Sequence, residues 1–190
     1  QVKVDLDPHA PYSVSPPLLK RLAEWARAEG LPLMVHAAES PEEVAFLARG
    51  EGPLRAGYGR FAKTPWTPPG TTPVRHLHAL GVLGPTTLLV HGVQVDEEEV
   101  GLLAETGTKV VLCPRSNANL EVGEAPLALY AKHGVELALG TDSRGSSPDL
   151  DVKNEARFLW GRAEPRLLVR ALTRGGYRAL GLPTPRLTRG

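Results

Sequence analysis

Apolar residues follow two alternating rhythms along the chain. Short, nearly continuous apolar runs occupy 2–6, 31–36, 86–91, 109–113 and 135–140. Between them apolar positions recur at helical spacing, as in 17–29, where Leu18, Leu19, Leu22, Trp25 and Ala26 share one face. The pattern predicts five strands, each followed by a helix. Further helices are expected at 41–48, 73–83, 96–106, 125–133, 150–161 and 165–180. Strict alternation of this kind means a parallel sheet, and strands that are apolar throughout mean a sheet covered on both faces. Two architectures satisfy it, a doubly wound sheet and a (β/α)8 barrel. Both place their chemistry at the carboxyl ends of the strands.

Local signals punctuate the same elements. Ser15 stands at the start of the first helix and Gly30 at its stop. Ser40 caps the second, with Glu42 and Glu43 in the first turn, where the helix dipole favours negative charge. Asp96 caps a helix whose Asp96-Glu97-Glu98-Glu99 start reads as a solvated acidic face, and Gly134 closes another. The stretch 50–72 is rich in Gly and Pro and reads as a long irregular loop or lid. Gly175-Gly176 follows no strand and reads as a helix junction.

Polar residues gather at the predicted strand ends. The first strand leads to Asp7-Pro8-His9, the second ends at His36 with Glu39 three residues on, and the third ends at His91. The fourth leads into Cys113-Pro114-Arg115-Ser116-Asn117, and the fifth into Gly140-Thr141-Asp142-Ser143. Three of the six histidines therefore sit at one topological level, with an aspartate beside them. Imidazole and carboxylate together suit Zn²⁺ or Fe²⁺. Such an ion brings the pKa of bound water toward 7, and Glu39 stands where it could carry protons. His76, His78 and His133 fall in helices and read as surface residues.

Composition narrows the classes. The chain has 190 residues, 42% hydrophobic and 23% charged, with a net charge of +1. That is a globular composition with no electrostatic footprint for nucleic acid or an anionic membrane. No apolar run approaches the roughly 20 residues of a membrane span. The single cysteine, Cys113, excludes an internal disulfide, fits a reducing cytoplasm and reads as a small buried apolar residue. The chain opens at Gln1 directly in a strand-like run, which suggests a segment of a longer protein.

Taken in order, the strand-end motifs resemble those of the metal-dependent amidohydrolase superfamily. His9-Ala10-Pro11-Tyr12-Ser13 is similar to its HAPYT segment, and His36-Ala37-Ala38-Glu39 to its H-x-x-E. Val90-His91-Gly92 is similar to its next strand-end histidine; the Cys113–Asn117 and Gly140–Ser143 motifs resemble its CPxSN and GTDS. The nearest branch holds nucleoside and purine deaminases and chlorohydrolases, including S-adenosylhomocysteine/5′-methylthioadenosine and aminodeoxyfutalosine deaminases. The resemblance implies a (β/α)8 TIM barrel, of which residues 1–190 form one domain comprising the carboxyl-terminal five βα units. The opening strands, with their H-x-H pair, and the flanking β-sandwich are expected outside this segment, which alone should be inactive.

The same resemblance implies one divalent metal, Zn²⁺ in preference to Fe²⁺, held by His36 and Asp142 with His91. Asp142 would also take a proton from the attacking water, His91 would hold that water or polarise the surroundings of the reacting carbon, and Glu39 would protonate the substrate ring and the departing ammonia. His9, Glu39 and Ser146 would contact substrate. The implied partner is a small molecule, an aminated purine or adenosine-type nucleoside; relatives often form homodimers. Chloride or amide hydrolysis on the same centre is the enzymatic alternative. A non-catalytic barrel remnant is the other, opposed by the intact His36, Glu39, His91 and Asp142. A doubly wound nucleotide binder is disfavoured, because no strand is followed by G-x-G-x-x-G.

Overall fold

The computed structural model describes residues 5–61 and 66–184. Four strands, β1 (Leu33–Ala37), β2 (Thr87–His91), β3 (Lys109–Leu112) and β4 (Leu137–Leu139), form one sheet in that order. All three pairings are parallel. The strand expected at 2–6 lies mostly outside the described residues. Its end is visible where Leu6 bridges Leu33: Leu6 N–H donates to Pro32 O at 3.0 Å, and Met34 N–H donates to Leu6 O at 2.7 Å. The chain thus enters along the free edge of β1 and brings His9 to the level of the strand tips.

Pairing fixes which side chains share a face. Leu33, Val35, Ala37, Leu89, Val110, Leu112, Leu137 and Leu139 belong to the large core beneath the helices. Leu88 and Ala138, with Met34 and Val111 against them, form a smaller cluster. The registers Met34↔Leu88, Val90↔Val111 and Val111↔Ala138 align that second set across the sheet. His36 follows Met34 at a spacing of two, so alternation sends it to this less covered side.

Helix α1 (Pro16–Glu29) has Pro at its first position and a left-handed Gly30 at its end. Its buried residues are Leu19, Ala23 and Ala26, whereas Leu18 and Trp25, expected on the inner face, are exposed. Helix α2 (Pro41–Arg49) starts at Ser40, whose Oγ accepts from Glu43 N–H at 3.2 Å. The stretch expected to be irregular contains helix α3 (Pro53–Phe61). Tyr58 on that helix closes an aromatic cluster with Phe46 and Trp66, the latter two stacked at 4.1 Å. These contacts outweigh a local composition that signals loop.

Helix α4 (Pro73–Ala79) is shorter than expected and buries His76 beside Pro73, Val74 and Leu77. His76 is therefore a core residue rather than a surface one, and burial lowers its pKa, favouring the neutral ring. His78 is exposed, and His133 Nε2 lies 3.2 Å from Glu97 on the surface. Helix α5 (Glu97–Thr106) begins with a full capping box between Asp96 and Glu99. Glu99 is buried and accepts from the Thr72 hydroxyl, which corrects the reading of a wholly solvated acidic start.

A short helix not expected from periodicity, α6 (Pro114–Asn119), follows β3 directly. Helix α7 (Leu127–His133) and helix α8 (Val152–Phe158) flank β4 in sequence. The final expected helix is broken into α9 (Pro165–Arg170), a π-helical turn over Ala171–Gly175, and α10 (Gly176–Ala179). Gly175 packs so tightly on β4 that a Cβ there would collide with the Leu137 carbonyl oxygen. Close packing on the strand, rather than phosphate binding, accounts for that glycine. No helix among the described residues is long and apolar enough to cross a membrane.

Candidate metal centre

The tips of the strands converge. One ligand atom from each of His36, His91 and Asp142 lies within 4.8 Å of the other two, and these residues can hold a metal ion. The ring centroids of His36 and His91 are 5.6 Å apart, and those of His9 and His36 5.5 Å.

His91 reaches this site through its backbone. Counting outward from Leu89, alternation would turn residue 91 toward the helix-covered core. Its φ of 75° breaks the alternation, and the side chain meets His36 instead. Left-handed backbone at a non-glycine residue costs on the order of 1–3 kcal/mol and clusters at functional sites. His9, Ala38 and Asp142 share the trait, with φ of 23°, 54° and 58°. Of the five non-glycine residues with positive φ among the described residues, all except Glu121 border this site. The turn after His91 is locked by Tyr130, whose hydroxyl donates to Gly92 O at 2.5 Å. A Cβ on Gly92 would strike that hydroxyl.

Neighbouring groups orient each donor. His36 Nδ1–H donates to His9 O at 2.9 Å, which leaves Nε2 with its lone pair. His91 Nδ1–H donates to Asn117 Oδ1 at 2.9 Å and likewise frees Nε2. Asp142 Oδ2 accepts from Ser116 Oγ–H at 2.6 Å and Ser146 Oγ–H at 2.7 Å, while Oδ1 has no side-chain donor among the described residues. Burial raises the Asp142 pKa, but these hydroxyls, the Ser143 N–H and the nearby His91 outweigh it and hold the carboxyl below the ordinary carboxylate range. Two oriented imidazoles and an ionised carboxylate form a borderline-soft donor set that fits zinc.

Glu39 Oε1 lies 3.6 Å from His91 Nε2, beside the donors and largely shielded from solvent. His9 is exposed at the rim. His9 Nδ1 and Ser13 Oγ share a hydrogen bond at 2.6 Å, and Ser13 Oγ also lies 3.1 Å from Ala10 O. Tyr12 is half-buried near Glu43 and Glu39; burial and those carboxylates push its pKa up to about 12. Ser146 is buried, with its hydroxyl engaged by Asp142. Burial, with Asp142 and Glu155 nearby, pushes the Cys113 thiol pKa far up, so that residue is an inert part of the core.

The structure thus brings together His36, Glu39, His91 and Asp142, with His9 and Ser146 at their border. Sequence reasoning did not assign Ser116 and Asn117, although they stand in the Cys113–Asn117 motif. Their position in the short helix that follows the end of β3 was the available signal. Arg115 fastens that segment in place: its guanidinium pairs with both Asp149 oxygens at 2.8 and 2.9 Å, and its N–H donates to buried Glu155 at 3.0 Å.

A model of the amidohydrolase family matches residues 1–187, and the chain belongs to that family. Among its relatives is aminodeoxyfutalosine deaminase from Deinococcus radiodurans, 43% identical over 200 residues. That match covers 100% of the chain and 48% of the relative. The structure of Helicobacter pylori aminofutalosine deaminase superimposes with a TM-score of 0.83 at 25% identity, over 95% of the chain and 47% of its own length. An adenosine deaminase from Xanthomonas campestris, solved with bound zinc, superimposes with a TM-score of 0.75 at 31% identity, over 93% and 38% respectively. The chain thus spans about half, or less, of the length of these relatives.

Proposed function

We propose that the whole protein is a zinc-dependent hydrolase that deaminates an adenosine-type nucleoside, with an aminodeoxyfutalosine-like compound the first candidate. The observation that carries the reading is the convergence of His36, His91 and Asp142 donor atoms within 4.8 Å in a chain 43% identical to a named aminodeoxyfutalosine deaminase. His36 Nε2, His91 Nε2 and the free oxygen of Asp142 hold the cation. Zinc, when bound, supplies the acidity that makes water a nucleophile near neutral pH. The sheet supplies part of a barrel whose other strands come from further chain.

In the reaction a C–O bond forms at the ring carbon bearing the amine, the C–N bond breaks and ammonia leaves. Asp142, held ionised by its two serines, takes a proton from the attacking water. Glu39 delivers protons to the ring nitrogen and then to the departing amine. His9, exposed at the rim, hydrogen-bonds a hydroxyl of the substrate. Ser146 serves by fixing Asp142, because its hydroxyl is committed there.

Ammonia release from a panel of adenine nucleosides by the zinc-loaded complete gene product tests this reading. The expected result is release that a chelator abolishes and zinc restores. Zinc-loaded protein that releases no ammonia from any of them, or chloride from a chlorinated ring instead, overturns it. The orientation of His91 gives a second check. Asn117→Ala removes the acceptor on Nδ1, and zinc affinity is expected to fall by about 10–100-fold. Unchanged affinity in a metal titration would remove Asn117 from the site.

A further inference from the structure

Helix α2 begins immediately after Glu39, and its first turn contains a carboxyl group that the reading above leaves without a task. Glu43 is 2% exposed. Its Oε2 accepts from the Glu39 N–H at 2.8 Å, while its Oε1 is sealed from solvent with no hydrogen-bond partner among the described residues. In an ordinary capping box the third helical glutamate reaches back to the backbone of the cap residue and stays near solvent. Glu43 reaches one residue further, to the residue whose side chain faces His91. Burying a carboxyl with one idle oxygen costs stability that an apolar residue would not. Helix starting therefore does not account for it, since the Ser40 cap on Glu43 N–H already serves that purpose.

The backbone it grips is a strained one. Between His36 and Glu39 the chain turns through Ala38 at a φ of 54°, and Val93 and Gln94 N–H both donate to Ala38 O at 2.8 Å. That turn is tied to the β2 side by these bonds and to α2 by Glu43. The Glu39 carboxylate, 3.6 Å from His91 Nε2, hangs between the two anchors.

We propose that Glu43 is a positioning residue for Glu39: its buried carboxyl clamps the Glu39 N–H and thereby sets the Glu39 carboxylate against His91. The inference rests on the proton-transfer role given to Glu39 above. Proton transfer is sensitive to the placement of its donor, so the clamp should act on turnover and leave substrate and zinc binding intact.

Four variants of the complete gene product separate this from a structural role. Glu43→Leu removes the clamp, Glu43→Asp retracts it by one methylene while keeping a good helix-start residue, and Glu43→Gln keeps an acceptor at full reach. Ser40→Ala removes the cap on the Glu43 N–H but leaves the Glu43 carboxyl and its bond to the Glu39 N–H in place. Glu43→Leu and Glu43→Asp are expected to lower kcat by about tenfold or more, with KM within about twofold and zinc per chain unchanged. Glu43→Gln should return kcat to within about threefold of wild type, and Ser40→Ala should lower Tm with kcat within about twofold. If Leu does not fold, the Asp and Gln pair carries the comparison. Equal kcat in Glu43→Asp and Ser40→Ala overturns the proposal. Crystal structures give a readout that does not depend on the reaction. The Glu39–His91 separation should widen in Glu43→Asp and stay unchanged in Ser40→Ala. If the wild type releases no ammonia, the functional reading fails and this distance alone decides the clamp; no widening overturns it.

Discussion

Glu39→Gln in the complete, zinc-loaded gene product is expected to lower turnover by roughly 10²–10⁴-fold, the usual worth of a positioned general acid–base. The amide has the size and shape of the carboxylate and can keep its place 3.6 Å from His91 Nε2. It cannot accept a proton from water or deliver one to a leaving amine. Glu39 is not among the three converging donors, so zinc per chain should match wild type. Metal analysis and steady-state kinetics on one preparation check both halves. Turnover within about threefold of wild type would remove Glu39 from proton transfer, and lost zinc would make it a ligand.

Asp142→Asn is the second large effect expected. Asparagine tolerates left-handed backbone better than most residues, so the φ of 58° at this position does not penalise it strongly. Its carbonyl can still accept from Ser116 or Ser146, so those buried hydroxyls keep a partner. What disappears is the negative charge. Zinc affinity should therefore fall by about 100-fold or more, beyond the range for outer partners of a site, while Tm of the metal-free protein moves little. Alanine would be a poorer test, because it leaves the buried Ser116 hydroxyl without its acceptor, at about 1–3 kcal/mol. Retained stoichiometric zinc in Asp142→Asn would show that the cation is held elsewhere.

Much of the site could be read from the chain because the topology is strict. Apolar runs that end in His36, His91 and the Gly140–Asp142 motif put those groups on one rim once the sheet is parallel. Ser40 and Asp96 declared their helices through side-chain oxygens that need an orphan N–H. Other features could not be read this way. The turn of His91 toward His36 depends on a left-handed φ that alternation cannot anticipate. Helix α3 hides in a Gly- and Pro-rich stretch because its support is tertiary, from Phe46 and Trp66. Glu43, Glu99 and Glu155 are charged residues near helix starts that look solvated in sequence. Each is buried with a hydrogen-bond donor beside it: the Glu39 N–H for Glu43, the Thr72 hydroxyl for Glu99 and the Arg115 N–H for Glu155, the last two brought from distant parts of the chain. His76 is the converse, a polar residue on the helix face that Val74 and Leu77 turn to the core.

Anomalous diffraction at the zinc edge from crystals of the complete gene product tests the central claim most directly. The account predicts one strong peak bounded by Nε2 of His36, Nε2 of His91 and a carboxylate oxygen of Asp142. An active crystal whose zinc peak lies away from these three side chains would contradict it.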